Sequence, residues 1–220
     1  LAEGPGGFIE AFVNKRNNDD DVYYGMTLLD DEEDMNIPSW KKSQQFLNKH
    51  SNVVIENGIK KNGDILDFDN FTYIIKTYGS SMNIVTGDGG FDFSNDFNKQ
   101  ETSISKLLFA QLCYALFLQK KNGSFVLKMF DCFLKNSVDI LYILSGYYNE
   151  VYICKPQTSR YANSEKYIVC KGFCGLNETS KTFLISCFQS MLLNKSQNIM
   201  TYIKNELPTY FVTKVEEYNA

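Results

Sequence analysis

Three ionisable residues stand where an α/β protein keeps its chemistry. Asp88 sits in "TGDGGF", Lys128 in "SFVLKMFD" and Glu165 in "SRYANSEKY", each at the end of, inside, or at the start of an apolar β-rich run. An ammonium group in a run as apolar as that around Lys128 is costly unless it has an acidic partner or a lowered pKa. Each residue also has a plain reading. Asp88 before Gly89-Gly90 can form a turn, Lys128 can reach solvent from an edge strand, and Glu165 can cap a loop. Three such positions in one chain point instead to a site where protons are handled.

The elements that must position them follow from the alternation of patterns. β-rich runs at 21–29, 51–58, 82–93, 124–131, 150–156 and 165–173 alternate with helical periodicity at 68–79, 103–123 and 137–149. A long helical region covers 178–207, and a helix starts at about Phe8. Strand, helix, strand repeated is the signature of a doubly wound sheet. The last two strands are joined without a helix, which predicts an antiparallel pair at one edge. Ligands in such sheets lie beyond the carboxyl ends of the strands. The opening "LAEGPGGF" fits that place: its glycines let backbone approach a ligand, Pro5 suits a first helical turn, and the helix points its N-terminus there. It also fits a simple tight turn, and its spacing is not the dinucleotide GxGxxG.

Composition narrows the class. The 220 residues are 44% hydrophobic and 15% aromatic, enough for one α/β domain, and no run is long enough to span a membrane. The net charge is −4, yet eight acidic residues cluster at Asp19-Asp20-Asp21 and in "DDEED" from Asp30 to Asp34, leaving the rest of the chain basic. Charge therefore neither supports nor excludes a nucleic-acid substrate. The six cysteines form no CxxC pair and mostly sit among apolar residues, which reads as small buried hydrophobes in a reducing compartment. Cys170, Cys174 and the single histidine, His50, match a metal site only weakly, and no metal is expected.

The segments "LAEGPGGFIEA", "YYGMTLL", "GDIL", "TGDGGFDFS", "GSFVLKMFD" and "YICKPQTSRYANSEKYIVCKGF" come in the order and spacing of FtsJ-like 2'-O-ribose methyltransferases. The "GMTL" and "KPxxSRxxNSExY" segments resemble the Adrift type, which includes cap-specific mRNA methyltransferases. This resemblance spans Leu1 to Phe173. It implies a Rossmann-like class I methyltransferase fold: a mostly parallel seven-stranded sheet with an antiparallel edge strand and helices on both faces. It implies a methyltransferase domain over 1–175, with 176–220 as a helical extension packed on it. The methyl donor would be S-adenosylmethionine, held by Glu3, Gly4, Pro5, Gly6, Gly7, Phe8, Asp64, Ile65 and Asp88.

Asp88, Lys128 and Glu165 would be three members of a lysine-aspartate-lysine-glutamate tetrad. Its first lysine belongs before the glycine-rich motif, so the chain reads as N-terminally truncated and weakly active on its own. In the transfer the family implies, a ribose 2'-hydroxyl attacks the sulfonium methyl, and Lys128 serves as base if burial and positive charge lower its pKa. Lys155, Ser159 and Arg160 would meet RNA, most fittingly a capped mRNA 5' end, while Trp40 or Tyr161 could stack on a base. The alternatives are a ribosomal or transfer RNA enzyme and an inactive RNA-binding relative. The Asn/Lys/Tyr-rich composition suits an AT-rich viral or protist genome. Action inside the cell, in a nucleus or a viral cytoplasmic factory, is expected.

Overall fold

The structure is a computed structural model and describes residues 1–29, 39–90, 100–159, 163–194 and 199–219. The elements run α1 (Gly7–Arg16), β1 (Tyr23–Gly25), a 3-10 turn (Lys41–Ser43), α2 (Gln44–Lys49), β2 (Val53–Ile55), α3 (Phe68–Tyr78) and β3 (Met82–Gly87). Then come α4 (Gln100–Ser103), α5 (Ser105–Leu118), β4 (Gln119–Met129), α6 (Lys135–Tyr147), β5 (Tyr148–Cys154), β6 (Lys166–Phe173), α7 (Glu178–Leu193) and α8 (Thr209–Asn219).

Among the described residues there are six strands in two sheets rather than seven in one. β1 and β2 pair in parallel, and a second sheet has the order β3-β4-β6-β5. The reason lies in Leu1–Glu3, which stands between the two. The Leu1 nitrogen donates to Thr86 O at 2.8 Å and Leu1 O accepts from Asp88 N at 3.1 Å, the bonding of a parallel neighbour to β3. Glu3 N reaches Met26 O, just beyond β1, at 3.4 Å. β5 and β6 form the expected antiparallel pair at one edge, but the strand that runs against the others is not itself the edge strand. β6 runs antiparallel to both β4 and β5 and lies between them, so the edge is β5.

The core is built around α5, whose residues are buried on every side except at Lys106, as expected of a helix apolar all round. Phe125, Leu127 and Met129 of β4 are fully buried with it, while Val126 and Lys128 alternate to the other face. An aromatic cluster joins three helices: Phe71 of α3 lies 5.0 Å from Tyr114 of α5 and 4.3 Å from Phe188 of α7. Leu184, Phe188 and Met191 of α7 and Val215 of α8 enter the same core. Of the helical region expected over 178–207, only α7 is helical among the described residues, and 199–207 are not. α7 ends at Leu193, and α8 begins just after Pro208, whose carbonyl accepts from Phe211 N.

No helix among the described residues is long and apolar enough to cross a membrane. All six cysteines are free thiols. Cys113, Cys132 and Cys170 are buried, whereas Cys154 and Cys174 are exposed.

Candidate active site

Lys128 and Asp88 meet at the carboxyl ends of β4 and β3. Nζ lies 3.1 Å from Asp88 Oδ1, and the side chains are 15% and 30% exposed. Strand order produces this meeting, because parallel pairing of β3 with β4 sets Gly87, the residue before Asp88, beside Leu127. The Asp88 turn is then held from beneath. Gln111, the lone amide in the apolar α5, accepts the Gly89 amide at 2.9 Å and donates to Leu107 O. The signal for Gln111 was available as a polar residue in an apolar run.

Glu165 comes to the same face by register. Lys128 pairs across the ladder with Tyr167, and Glu165 is two residues before Tyr167, hence on its side of β6. The Tyr167 hydroxyl donates to Glu165 Oε1 at 3.3 Å. Its pKa is pushed up first by burial and then by the charges of Asp88 and Glu165, so the phenol stands among the acids of the site. Tyr167 was not singled out in the sequence, although it is the final residue of "SExY". Phe8 from α1 meets its ring edge-on at 5.8 Å. Phe8, Cys154, Ser159, Glu165 and Tyr167 line a cavity of about 430 Å³ beside the acids.

The glycine-rich turn opens α1 as expected, and Glu3 holds it. The Glu3 carboxylate is 1% exposed and accepts Phe8 N at 2.7 Å and Ile9 N at 3.3 Å, with Thr86 Oγ1 3.4 Å away. It therefore caps the positive end of α1. Burial is the main reason its pKa is raised. Asp64 stands beyond β2 in a loop fastened to the same region. Gly63, at φ +66°, is packed directly on Thr27 O, and a methyl on Gly4 would touch the Thr27 side chain at 3.1 Å. Asp64 Oδ1 accepts Leu66 N at 2.8 Å, and burial raises its pKa. Ile65 is in the core.

The residues expected to meet RNA divide. Lys155 Nζ donates to Asn163 O at 2.7 Å, to Asn163 Oδ1, and to Glu165 O at 2.7 Å. Ser159 Oγ also bonds Asn163 Oδ1, at 3.1 Å. Arg160 and Tyr161 lie outside the described residues. Trp40 is 7% exposed and packed against Ile9 and Val13, so it is not free to stack on a base.

Known proteins resemble this chain. The cap-specific mRNA (nucleoside-2'-O-)-methyltransferase 1A of Caenorhabditis briggsae is 33% identical over 177 residues, covering 78% of this chain and 20% of that protein. The inactive cap-specific mRNA (nucleoside-2'-O-)-methyltransferase 1B of the same species is 31% identical over the same shares. The cap-specific mRNA (nucleoside-2'-O-)-methyltransferase 1 of Mus musculus is 32% identical over 230 residues, covering all of this chain and 26% of that protein. The chain thus spans about a fifth to a quarter of the length of these curated relatives. A crystal structure of human methyltransferase-like protein 13 in complex with SAH shares the fold, with a TM-score of 0.50 at 12% identity over 90% of this chain and 83% of that one. The model of the FtsJ-like methyltransferases matches residues 1–173, and the chain belongs to that family.

Proposed function

We propose that the protein transfers a methyl group from S-adenosylmethionine to a ribose 2'-hydroxyl of RNA, at the 5' end of capped mRNA. The observation that carries this reading is the Lys128–Asp88 ion pair, with Glu165 and Tyr167 on the same sheet face, in a chain of this family. The donor's surroundings fit. Glycine-rich backbone opens α1, Glu3 fixes that turn from the buried side, Asp64 stands in the loop beyond β2, and Asp88 stands at the end of β3. Glycines 4, 6 and 7, Pro5 and Phe8 would hold the donor with Asp64, Ile65 and Asp88. When bound, the donor supplies a methyl group on a positively charged sulfur.

As the neutral amine, Lys128 Nζ would accept the hydroxyl proton as the ribose oxygen takes the methyl group, and the Lys128–Asp88 ion pair is the protonated form this leaves. Asp88 holds that amine in place. Glu165, bonded by Tyr167, sets the opposite wall of the site. Ser159 lies on the loop that leads into Glu165, where a nucleic-acid backbone would pass, and Arg160, next in sequence, would meet the same backbone. The cap-specific choice among RNAs rests on the names of the relatives.

Transfer of labelled methyl to capped and uncapped short RNAs, with Lys128→Ala in parallel, tests the reading. Cap-dependent transfer that falls by at least about 10²-fold in the variant supports it. Equal transfer to both RNAs moves the substrate to ribosomal or transfer RNA. Donor binding with no transfer leaves an inactive RNA-binding subunit.

A further inference from the structure

Trp40 lies far from the glycine-rich turn in sequence and directly on it in space. A methyl group on Gly25 would stand 2.5 Å from the indole Cη2, and one on Gly6 3.0 Å from Cζ3. A methyl on Gly4 would stand 2.6 Å from Ser39 O. Ser43 Oγ donates to Pro5 O. Residues 39–43 therefore lie across the turn, and the ring fills a hole that only glycine at 6 and 25 leaves open. Gly6 is in the left-handed region at φ +100°, so the backbone under the ring has little freedom to adjust. Within the described residues the buried indole Nε1 has no hydrogen-bond partner. Among the described residues, shape seats the ring.

We propose that Trp40 is a positioning residue for the methyl donor, locking Gly4–Gly7 in the form that receives it, with Gly6 and Gly25 as its socket. This rests on the reading of that turn as the donor site. It also adds a second duty to Gly6, which the sequence alone gives to close approach by a ligand. Gly7 is the one whose Cβ would meet nothing within 4 Å, which leaves that side of the turn to the donor.

Trp40 is the sole tryptophan, so tryptophan emission reports it alone. Titration of the unmodified protein with S-adenosylhomocysteine, followed by calorimetry and by fluorescence, is the first test. The expected result is an emission change that saturates with the binding heat. Heat without an emission change overturns the lock and leaves the donor reading intact, whereas absence of heat overturns both. The second test is a double-mutant cycle. Gly25→Ala and Trp40→Leu should each weaken S-adenosylhomocysteine binding on the order of tenfold while affinity for RNA stays within about twofold. The double variant should lose less than the product of the two, because leucine vacates the space the methyl needs. Folded single variants with unchanged affinity, or a double variant that loses the full product, overturn the proposal.

Discussion

Two residues show how the same side chain reads differently in sequence and in space. Lys155 looked like a phosphate contact, because a lysine in a polar loop before a catalytic candidate usually serves that end. Its bonds to Asn163 and to Glu165 O close the loop between β5 and β6 instead. Lys155→Met should therefore lower kcat on the order of tenfold, by letting Glu165 drift, while KM for RNA and its salt dependence hold. A phosphate contact would behave otherwise: KM would rise and the salt slope would fall by about one. Glu3 was assigned to the donor, and its bonds to Phe8 and Ile9 make it a helix cap. Its pKa is raised from an ordinary value of 4.5, chiefly by burial, so the folded chain holds this proton more tightly than the unfolded one. Stability is then greatest below that ordinary value and falls as pH rises through the raised one. Glu3→Gln keeps an acceptor for the amides and removes the titration. Urea midpoints should show the variant gaining on the parent between pH 4.5 and pH 8, and a gap independent of pH would acquit Glu3. Asp88, Lys128 and Glu165 were legible because strand ends in a doubly wound sheet can be read from pattern. Gln111 stood out as a polar residue in an apolar run, but its role and that of Tyr167 were not legible, because they depend on which helix lies below and on register.

Elements with local signals appeared in the sequence nearly as they stand. α3 begins where Asp67 accepts the Asn70 amide at 2.9 Å, and Gly79 follows its last residue. α5 was expected to run to 123, because the Asn122-Gly123 pair is the first local stop in "LQKKNG". It stops at Leu118 because Gln119 turns inward, where the Tyr148 hydroxyl bonds its side chain, and β4 begins there. That contact joins residues 29 apart and has no local signature. α3 also fastens the Asp64 loop. Fully buried Asn70 donates to Asn62 Oδ1 at 2.8 Å and to Asp64 O at 2.9 Å, and accepts Lys60 N at 2.9 Å. Asn70→Ala should cost about 2 kcal/mol in urea unfolding, since three bonds go and polar atoms beneath the loop lose partners. S-adenosylhomocysteine affinity should fall with it if Asp64 belongs to the donor site. A loss of stability with affinity unchanged would separate the loop from that site.

At the scale of the molecule, the segment after residue 173 carries no motif, and the family model ends at that residue. The structure nevertheless ties it in through one buried acid. Asp139 of α6 has a side chain with no exposed surface, pairs with Lys135 at 2.7 Å, and accepts Thr201 Oγ1 at 2.6 Å, Tyr202 N at 2.8 Å and Ile203 N at 3.1 Å. Asn136 on the same turn donates to Ile199 O, and Tyr202 stacks on Phe109 at 4.5 Å. Further on, Asn219 donates to Cys132 O and Tyr218 lies under Lys166 Nζ, next to the ends of β4 and β6 that carry Lys128 and Glu165. A sequence pattern could show that "SVDILYIL" is a helix, but not that its acid faces a strand of chain some 60 residues later. Asp139→Ala removes a buried acceptor of four bonds; Lys135, which is 45% exposed, and Thr201 keep Ile203 O, Ile203 N keeps Thr201 Oγ1, and Tyr202 N loses its acceptor, so the change should cost about 2–3 kcal/mol. The loss should be local first. α8 and the strap at 199–203 should open before the sheet does, exposing Lys204 to trypsin while α5 stays protected. Asp139→Asn keeps an acceptor and should fall between the two in both stability and cleavage rate. If the alanine variant melts with the parent and is cut no faster at Lys204, the strap does not hold the C-terminal helix. The tie would then have to come from the contacts α8 makes itself: Val215 in the core, Phe211 on Tyr142, Asn219 on Cys132 O and Tyr218 on Lys166.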